Sequence, residues 1–150
     1  MNSHGVDKNS GPALAFLDAE ERSVLQSVCV ALEVPAGGIL FRAGETAAMV
    51  YFLVSGRMVV RKRTGFADKM QVVALLDPGA PIGEGAAIPG QLRGAAVIAI
   101  DVCRLLSLER RQLEILQQKN PGLAVKIMMR LLQVTHLRLQ KSSERLVHIM

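Results

Sequence analysis

Short β-prone runs, separated by glycine and proline, fill the sequence between about Glu33 and Leu108. The runs read ILFRAG, MVYFLVSG, MVVRKR, QVVALLDPG, AAVIAI and CRLLSL. The glycines and Pro-Gly pairs between them are turn signals. Runs this short and evenly spaced are typical of an antiparallel roll or barrel rather than of alternating β–α units. The predicted fold class is therefore mainly β with flanking helices, an antiparallel β-roll of the jelly-roll (double-stranded β-helix) type.

A helix is predicted before the roll. Residues 1–12 are polar and small, so they are predicted to be a disordered tail, and residues 13–150 to form the domain. Asp18 followed by Glu21 is a capping-box pattern, which predicts a helix start at Asp18. Apolar residues then follow at helical spacing, namely Val24, Leu25, Val28 and Leu32. The helix is predicted to end before Pro35, because the residue before a proline disfavours helix.

Two more helices are predicted after the roll. The run RRQLEILQQ, which follows Glu109, predicts a short helix. Asn120 is a good N-cap and Pro121 suits a first helical turn, so a second helix is predicted to begin there. This long C-terminal helix is predicted to extend to the region of Met150.

The last helix carries a heptad stripe. Its members are Met128, Leu132, Thr135, Leu139, Ser142, Leu146 and Ile149, at alternating spacings of four and three residues. Such a stripe either packs on the protein's own roll or pairs with the same helix of a second copy. Polar Thr135 and Ser142 are typical of residues that set the register of a helix pair. We therefore favour a homodimer through Met128, Leu132, Thr135, Leu139 and Leu146.

Charge and aromatic content limit the partners. The formal net charge of +5 favours anionic partners such as nucleotides, nucleic acid or membrane surfaces. The chain has no Trp and one Tyr, so a stacking platform for single-stranded nucleic acid is not expected. One local basic cluster contains Arg57, Arg61, Lys62 and Arg63. It is either a solvated strand end or an anion-binding patch, and we favour the first.

Cysteines and apolar runs indicate the compartment. Cys29 and Cys103 lie in apolar runs, so both are predicted to be buried free thiols. The absence of a CxxC motif makes structural zinc improbable. The N-terminus has no apolar signal core, and no apolar run reaches the roughly 18 residues that a membrane span needs. The protein is predicted to be soluble and cytoplasmic, with no membrane partner.

The segment PIGEGAAIPGQLRGAAV, residues 81–97, carries the most chemical information. Gly83, Gly85 and the small Ala86 allow a ligand to approach the backbone closely. Residues 84–88 can form one short helical turn whose N–H groups suit an anion. The segment is therefore a candidate anion site.

Two charged side chains complete this candidate site. Arg93 can fork onto a phosphate, and Glu84 can accept hydrogen bonds from sugar hydroxyls. The alternative interpretation is that Arg93 is a solvated charge on a strand and Glu84 a helix cap.

The same segment resembles the phosphate-binding cassette of the cyclic-nucleotide-binding domain family, roughly F-G-E-x-A-x(5–6)-[P]-R-x-A-x-V. The corresponding residues are Ile82, Gly83, Glu84, Gly85 and Ala86, then Leu92, Arg93, Gly94, Ala95, Ala96 and Val97. Upstream, the family's L-x-x-x-G-x-x-A-x-x-x-Y-x-[IL]-x-x-G pattern is loosely matched by Leu40, Gly44, Ala48, Phe52, Val54 and Gly56. The family includes catabolite activator protein, regulatory subunits of cAMP-dependent protein kinase and cyclic-nucleotide-gated channels. The resemblance extends over about residues 14–140.

The resemblance implies a cyclic-nucleotide ligand and assigns roles to matching residues. Glu84 is similar to the glutamate that binds the ribose 2′-hydroxyl, and Arg93 to the arginine that pairs with the cyclic phosphate. Backbone groups would complete the phosphate cradle and its turn, those of Gly83, Gly85, Ala86 and Gly94. Ile82 replaces the commoner Phe and Leu92 the usual proline, and neither change removes a ligand contact.

The resemblance also favours one nucleotide. Gly94 stands where guanine-preferring members often carry Thr or Ser, which argues for cAMP over cGMP. Thr135, in the sequence LQVT, resembles the stretch that contacts the base in catabolite activator protein. A cyclic dinucleotide is left open as a ligand.

The predicted function is a cyclic-nucleotide sensor that relays binding through its C-terminal helix to a dimer or an effector protein. The alternative is a degenerate copy of the fold that acts as a ligand-independent interaction module, or a regulatory domain excised from a longer channel, kinase or regulator. Enzymatic activity is not expected, because no nucleophile–base pair is visible around His4, His136 or His148. Sequence-specific DNA binding is not expected either, because no winged helix-turn-helix follows the long helix.

Overall fold

The computed structural model describes residues 10–63 and 69–149 of the chain, without the side chain of Ile149. The strands are β1 (Val30–Val34), β2 (Ile39–Phe41), β3 (Met49–Ser55), β4 (Met58–Arg63), β5 (Met70–Leu76), β6 (Pro81–Ile82), β7 (Ala96–Ala99) and β8 (Cys103–Glu109). The helices are α1 (Ala19–Val28), α2 (Arg110–Lys119) and α3 (Pro121–Ile149), with short 3₁₀ turns at Gly11–Leu14 and Glu84–Ala87.

Two four-stranded sheets form the roll. One sheet has the strand order β1-β8-β3-β6 and the other β2-β7-β4-β5. All strand pairs in both sheets are antiparallel. The helix α1 precedes the roll and the long α3 follows it, so the predicted fold class is confirmed.

The core has two parts, one on each face of the β3–β8 pair. Phe52 and Leu108 face the helices, where they pack with Leu25 and Ile127. Leu53 of β3 and Leu105 of β8 point to the opposite face, where they pack between the sheets with Met58, Ile82 and Val97 of other strands. This follows from the alternation of side chains along a strand. Both faces of the pair are buried, which fixes the strand register.

Both cysteines are buried and neither forms a disulfide bond, as predicted. Cys29 is the C-cap residue that follows α1, and Cys103 begins β8. Burial raises the pKa of the Cys103 thiol, which donates weakly to the carbonyl oxygens of Arg57 and Asp101, each at 3.2 Å. A buried thiol of this kind is unreactive at neutral pH.

The start of α1 is confirmed, and the helix ends before Pro35 as predicted, but the expected inclusion of Leu32 is wrong. Asp18 Oδ1 accepts from the Glu21 N–H at 2.8 Å, and Glu21 Oε1 accepts from the Asp18 N–H at 3.0 Å. The helix ends at Val28, and Leu32, which was expected in the helix, lies in β1 opposite Leu105. Pairing with the buried strand β8 satisfies the backbone of these residues, so tertiary context overrides the local helical spacing.

The two C-terminal helices are confirmed. Asn120 lies between them, and its Oδ1 accepts from the Leu123 N–H at 3.3 Å, as expected of an N-cap. Early in α3, one face is buried against α2 and the roll through Leu123, Ala124, Ile127 and Leu131.

The heptad stripe is exposed rather than buried, and two of its members, Ser142 and Leu146, also line a cavity beside α3. Met128, Leu132, Leu139 and Leu146 are exposed, by 38, 61, 63 and 61%. Thr135 and Ser142 are also exposed. The stripe therefore does not form part of the roll's core, which was the alternative interpretation. The side chain of Ile149 lies outside the described residues.

The structure describes only the end of the predicted N-terminal tail, and it describes the whole basic cluster. Residues 1–9 lie outside the described residues. Ser10 is buried and the 3₁₀ turn Gly11–Leu14 follows it, so the structured part begins before residue 13. Arg57 pairs with Asp101 at 3.3 Å, and residues 61–63 are exposed at the end of β4.

Candidate functional site

A cavity of about 1130 Å³ lies between the roll and α3. On the roll side it is lined by residues 73–80, 82–85 and 92–95. On the α3 side it is lined by polar and cationic side chains, chiefly Arg130, Arg138, Lys141, Ser142 and Arg145. The cavity brings together most of the predicted site residues, which are Gly83, Glu84, Gly85, Arg93 and Gly94.

The segment after β6 turns sharply into the cavity. Gly83 has a φ of +72°, a left-handed conformation that favours glycine. A Cβ atom at Gly83 would overlap the guanidinium of Arg93. The residues that follow, Glu84–Ala87, form the short helical turn that the sequence predicted. Within it, Ala86 is buried beneath the cavity and does not line it.

Arg93 is the most constrained charge in the site. Its side chain is 7% exposed, although it lies outside the regular strands. Nη1 donates to the Gly83 carbonyl oxygen at 3.1 Å and Nη2 to the Met49 carbonyl oxygen at 2.7 Å. The guanidinium carbon lies 4.0 Å from the centre of the Phe41 ring and 5.9 Å from that of Tyr51. The interpretation of Arg93 as a solvated charge on a strand is therefore wrong.

The charge of Arg93 is incompletely matched. Its Nε is buried and has no hydrogen-bond partner. No carboxylate of the described residues lies within ion-pair distance of it. Burial lowers the pKa of Arg93, because the charged form loses solvation. The neighbouring Tyr51 is itself partly buried, which raises the pKa of its hydroxyl. An anion in the cavity would relieve this imbalance, since a buried charge without a counter-ion is unfavourable.

Glu84 forms an ion pair with Arg138 of α3. Arg138 Nη1 lies 3.1 Å from both carboxylate oxygens of Glu84, and Arg138 Nη2 donates to the Pro81 carbonyl oxygen at 2.7 Å. Both side chains are partly exposed, at 32% for Arg138 and 25% for Glu84. Glu84 follows the N-cap residue Gly83 and makes no cap, so the helix-cap interpretation is not supported.

Two more arginines of α3 fasten the helix over the cavity. Arg130 Nη2 donates to the Gly79 carbonyl oxygen at 3.2 Å, and Arg145 Nη1 donates to the Val73 carbonyl oxygen at 3.0 Å. Sequence reasoning missed Arg130, Arg138 and Arg145. Their spacing in the sequence was a usable signal, because intervals of eight and seven residues place all three arginines on one helix face. The function of α3 was instead predicted from its apolar heptad stripe.

Thr135 is not brought into the cavity. It is exposed on α3, and its Oγ1 donates to the Leu131 carbonyl oxygen at 2.8 Å, one turn earlier. Arg138, three residues later, lines the cavity instead and contacts Glu84 and the Pro81 carbonyl oxygen.

Across 10–63 and 69–149, no group of three or more His, Cys, Asp and Glu side chains is arranged to hold a metal ion. Among the helices of the same residues, none is both long enough and apolar enough to cross a membrane.

The chain has relatives among known protein sequences. The family model of the cyclic nucleotide-binding domain matches residues 31–120. A cyclic nucleotide-gated potassium channel of Mesorhizobium japonicum is 34% identical over 91 residues, which is 61% of this chain. The chain spans only 23% of that channel's length.

Solved structures show the same architecture. A cyclic nucleotide-binding domain from Methylobacillus flagellatus superposes with a TM-score of 0.88 at 26% identity, covering 97% of this chain and 86% of that one. The catabolite activator protein of Thermus thermophilus gives a TM-score of 0.74 at 25% identity, covering 92% of this chain and 63% of that one.

Proposed function

Because the chain belongs to the cyclic nucleotide-binding domain family, we propose that it is a cytoplasmic cyclic-nucleotide sensor whose ligand is cAMP. Domains of this family are regulatory rather than catalytic. The proposal extends this to the present chain, which would signal by binding and would not transform its ligand.

The proposal rests on one observation, the burial of the Arg93 guanidinium without a carboxylate partner in residues 10–63 and 69–149. Its guanidinium is buried at the cavity, has no carboxylate partner among the described residues and keeps its Nε without a hydrogen bond. A cyclic phosphate would supply the missing negative charge through charge-assisted hydrogen bonds. Glu84 lies in the same cavity and can accept from ribose hydroxyls once Arg138 releases or shares it.

Backbone groups would form the rest of the cradle. Gly85 and Gly94 both line the cavity and have open space where a Cβ would stand, so a ligand can reach their N–H groups. Gly83 provides the turn and Ala86 its buried support. Gly94, which offers no hydroxyl to a guanine, supports cAMP over cGMP. Thr135 would contact the base only after a shift of α3.

Ligand binding would be relayed through α3. Arg138 joins this helix to Glu84, so a ligand that competes for Glu84 changes the contacts of the helix. The size of the response is limited by the difference in ligand affinity between the two positions of α3. The exposed heptad stripe on the same helix would pair with a second copy, giving a homodimer, or would contact an effector protein.

Calorimetric titration of nucleotide-stripped protein with cAMP and cGMP tests the proposal. The wild type is expected to bind cAMP saturably and more tightly than cGMP. Arg93→Ala is expected to reduce cAMP affinity at least 100-fold, about 2.7 kcal/mol, because it removes the cation that meets the phosphate. Arg111→Ala is the matched control, since Arg111 is an exposed cation of α2 outside the cavity.

Folding must be checked in the variant, because Arg93 also bonds to two backbone carbonyls. Urea unfolding of Arg93→Ala and Arg93→Lys serves this purpose. A folded Arg93→Ala protein with wild-type affinity for cAMP would overturn the assignment of Arg93. Failure of the folded wild type to bind either nucleotide would overturn the sensor.

A ligand-independent interaction module is the second candidate. It is favoured by the fact that Glu84 and two nitrogens of Arg93 already have partners within the protein. Under this function, the wild type binds neither nucleotide and α3 keeps its position when cAMP is added. A change in α3 amide exchange on addition of cAMP would exclude it.

A further inference from the structure

The α3 end of the cavity carries positive charge that a cyclic mononucleotide does not use. Six cationic and two acidic side chains line the cavity within the described residues. The cations are Lys62, Arg93, Arg130, Arg138, Lys141 and Arg145, and the acids are Asp77 and Glu84. A single cyclic phosphate bears one negative charge. The lining is therefore suited to a ligand with more than one anionic group.

The cations that line the cavity differ in whether a carboxylate lies within ion-pair distance. Arg138 is matched by Glu84 at 3.1 Å. Lys62, Lys141 and Arg145, in contrast, have no carboxylate of the described residues within ion-pair distance. Arg145 donates only to the neutral carbonyl oxygen of Val73, at 3.0 Å. Lys141 and Arg145 are four residues apart on α3, so they share a face.

The cations that line the cavity belong to two parts of the molecule, the roll and α3. Arg93 is fixed in the roll by the carbonyl oxygens of Gly83 and Met49. Lys141 and Arg145 belong to α3, and Lys62 to β4. Small-ligand pockets usually have volumes of about 300–1,000 Å³. A cavity of about 1130 Å³ is large enough for a ligand that contacts both Arg93 and the α3 pair, Lys141 and Arg145.

We propose that Lys141 and Arg145 form a second phosphate subsite, so that the cavity accepts a cyclic dinucleotide. One phosphate of the ring would contact Arg93 and the other would contact the α3 pair. This rests on the proposed function, because it uses the same cavity and the same role of Arg93. It adds that a ligand with two phosphates is bound more tightly than one with a single phosphate.

Titration with three probes tests the second subsite. Cyclic di-AMP, cyclic di-GMP and cAMP are each titrated into nucleotide-stripped wild type and into the double variant Lys141→Ala/Arg145→Ala. The matched control is Arg111→Ala/Lys119→Ala, which removes two exposed cations from α2, outside the cavity. Urea unfolding checks that every variant is folded.

The expected result separates the two subsites. The wild type binds at least one cyclic dinucleotide more tightly than cAMP. The double variant loses at least tenfold of that affinity, about 1.4 kcal/mol, and less than threefold of its affinity for cAMP. The α2 control changes neither. Higher salt weakens the dinucleotide more than cAMP, because more charges are paired.

Other outcomes overturn the inference in distinguishable ways. If cAMP binds and neither cyclic dinucleotide does, the second subsite is wrong and the sensor stands. If the double variant weakens cAMP and cyclic dinucleotide equally, the α3 pair acts as general positive charge and the second subsite is again wrong. If no probe binds folded wild type, the proposed function fails together with the subsite.

Discussion

The two halves of α3 present one continuous face to two different surroundings. In residues 121–131, this face is apolar, and Leu123, Ile127 and Leu131 are buried in the core. Arg138 follows seven residues after Leu131 and Arg145 seven residues after Arg138, so they lie on the same face. In residues 132–148, this face is cationic, it covers the cavity, and no side chain is buried.

The difference shows where the helix can move. The first half is held by burial, which contributes about 1.5–3 kcal/mol for each fully buried Leu or Ile side chain. The second half is held by the partly exposed Arg138–Glu84 ion pair and by hydrogen bonds from Arg138 and Arg145. Ion pairs exposed to solvent contribute only about 0–1 kcal/mol. The second half can therefore leave the roll without disrupting the core, whereas the first half cannot.

The largest effect is expected from truncating the buried face. Ile127→Ala should lower the free energy of unfolding by about 2–5 kcal/mol, because it removes a buried side chain and leaves a cavity. Leu139→Ala, on the second half and 63% exposed, should change it by less than about 0.5 kcal/mol. Urea unfolding at a concentration where the chain is monomeric measures both values.

The same two variants also test the role of the heptad stripe in self-association. Leu139→Ala should weaken self-association in sedimentation experiments if the heptad stripe forms the dimer. Equal destabilisation by the two variants, measured on the monomer, would show that the second half is part of the folded core and would contradict the division of α3.

A smaller effect is expected from the ion pair that closes the second half. Arg138→Ala removes the contacts to Glu84 and Pro81. Amide hydrogen exchange in residues 139–146 should become about fivefold faster, which corresponds to about 1 kcal/mol. Exchange in residues 123–131 should not change. Arg111→Ala serves as the control, and faster exchange in both halves would show that α3 moves as one body.

The smallest effect is expected at the far side of the first half, where α1 holds it. Glu21 pairs with Lys126 at 2.7 Å and also completes the capping box of Asp18. The hydrogen bond from the Glu21 N–H holds the pKa of Asp18 below its ordinary value of 3.8. A lowered folded-state pKa means that this stabilisation is complete above the unfolded-state pKa and is lost as the pH falls through the folded-state pKa.

Comparison with Asp18→Asn isolates this charge, because asparagine keeps the acceptor of the cap. The wild type should be the more stable protein at pH 7, and the difference in unfolding free energy should disappear as the pH falls below about 4. A difference that persists at pH 2 would show that the carboxylate charge is not its cause. Urea unfolding across this pH range provides the measurement.

Local signals in the sequence predicted the elements that depend on neighbouring residues. The capping box at Asp18, the N-cap at Asn120 and most strands of the roll needed only short-range patterns. The strand β1 was missed because its partner residues in β8 are 69 to 77 positions away along the chain. The two-residue strand β6 is too short to produce a pattern of its own.

The site was predictable to the extent that its residues are contiguous. Residues 83–86 and 93–94 were identified from one segment, and the structure places Arg93 beside Gly83. The burial of Arg93 was not predictable, because Phe41 and the carbonyl of Met49 come from other parts of the chain. The α3 arginines were equally hidden, since only the fold shows which face of a helix meets a cavity.

The neighbourhood of Arg93 also determines how the protein can be observed. The chain has one tyrosine and no tryptophan, so its intrinsic ultraviolet emission comes chiefly from Tyr51. That ring stacks with Phe41 at a centroid distance of 6.2 Å and lies 5.9 Å from the guanidinium carbon of Arg93. The molecule therefore carries its own optical reporter beside the proposed phosphate position, and events there can be followed without a label.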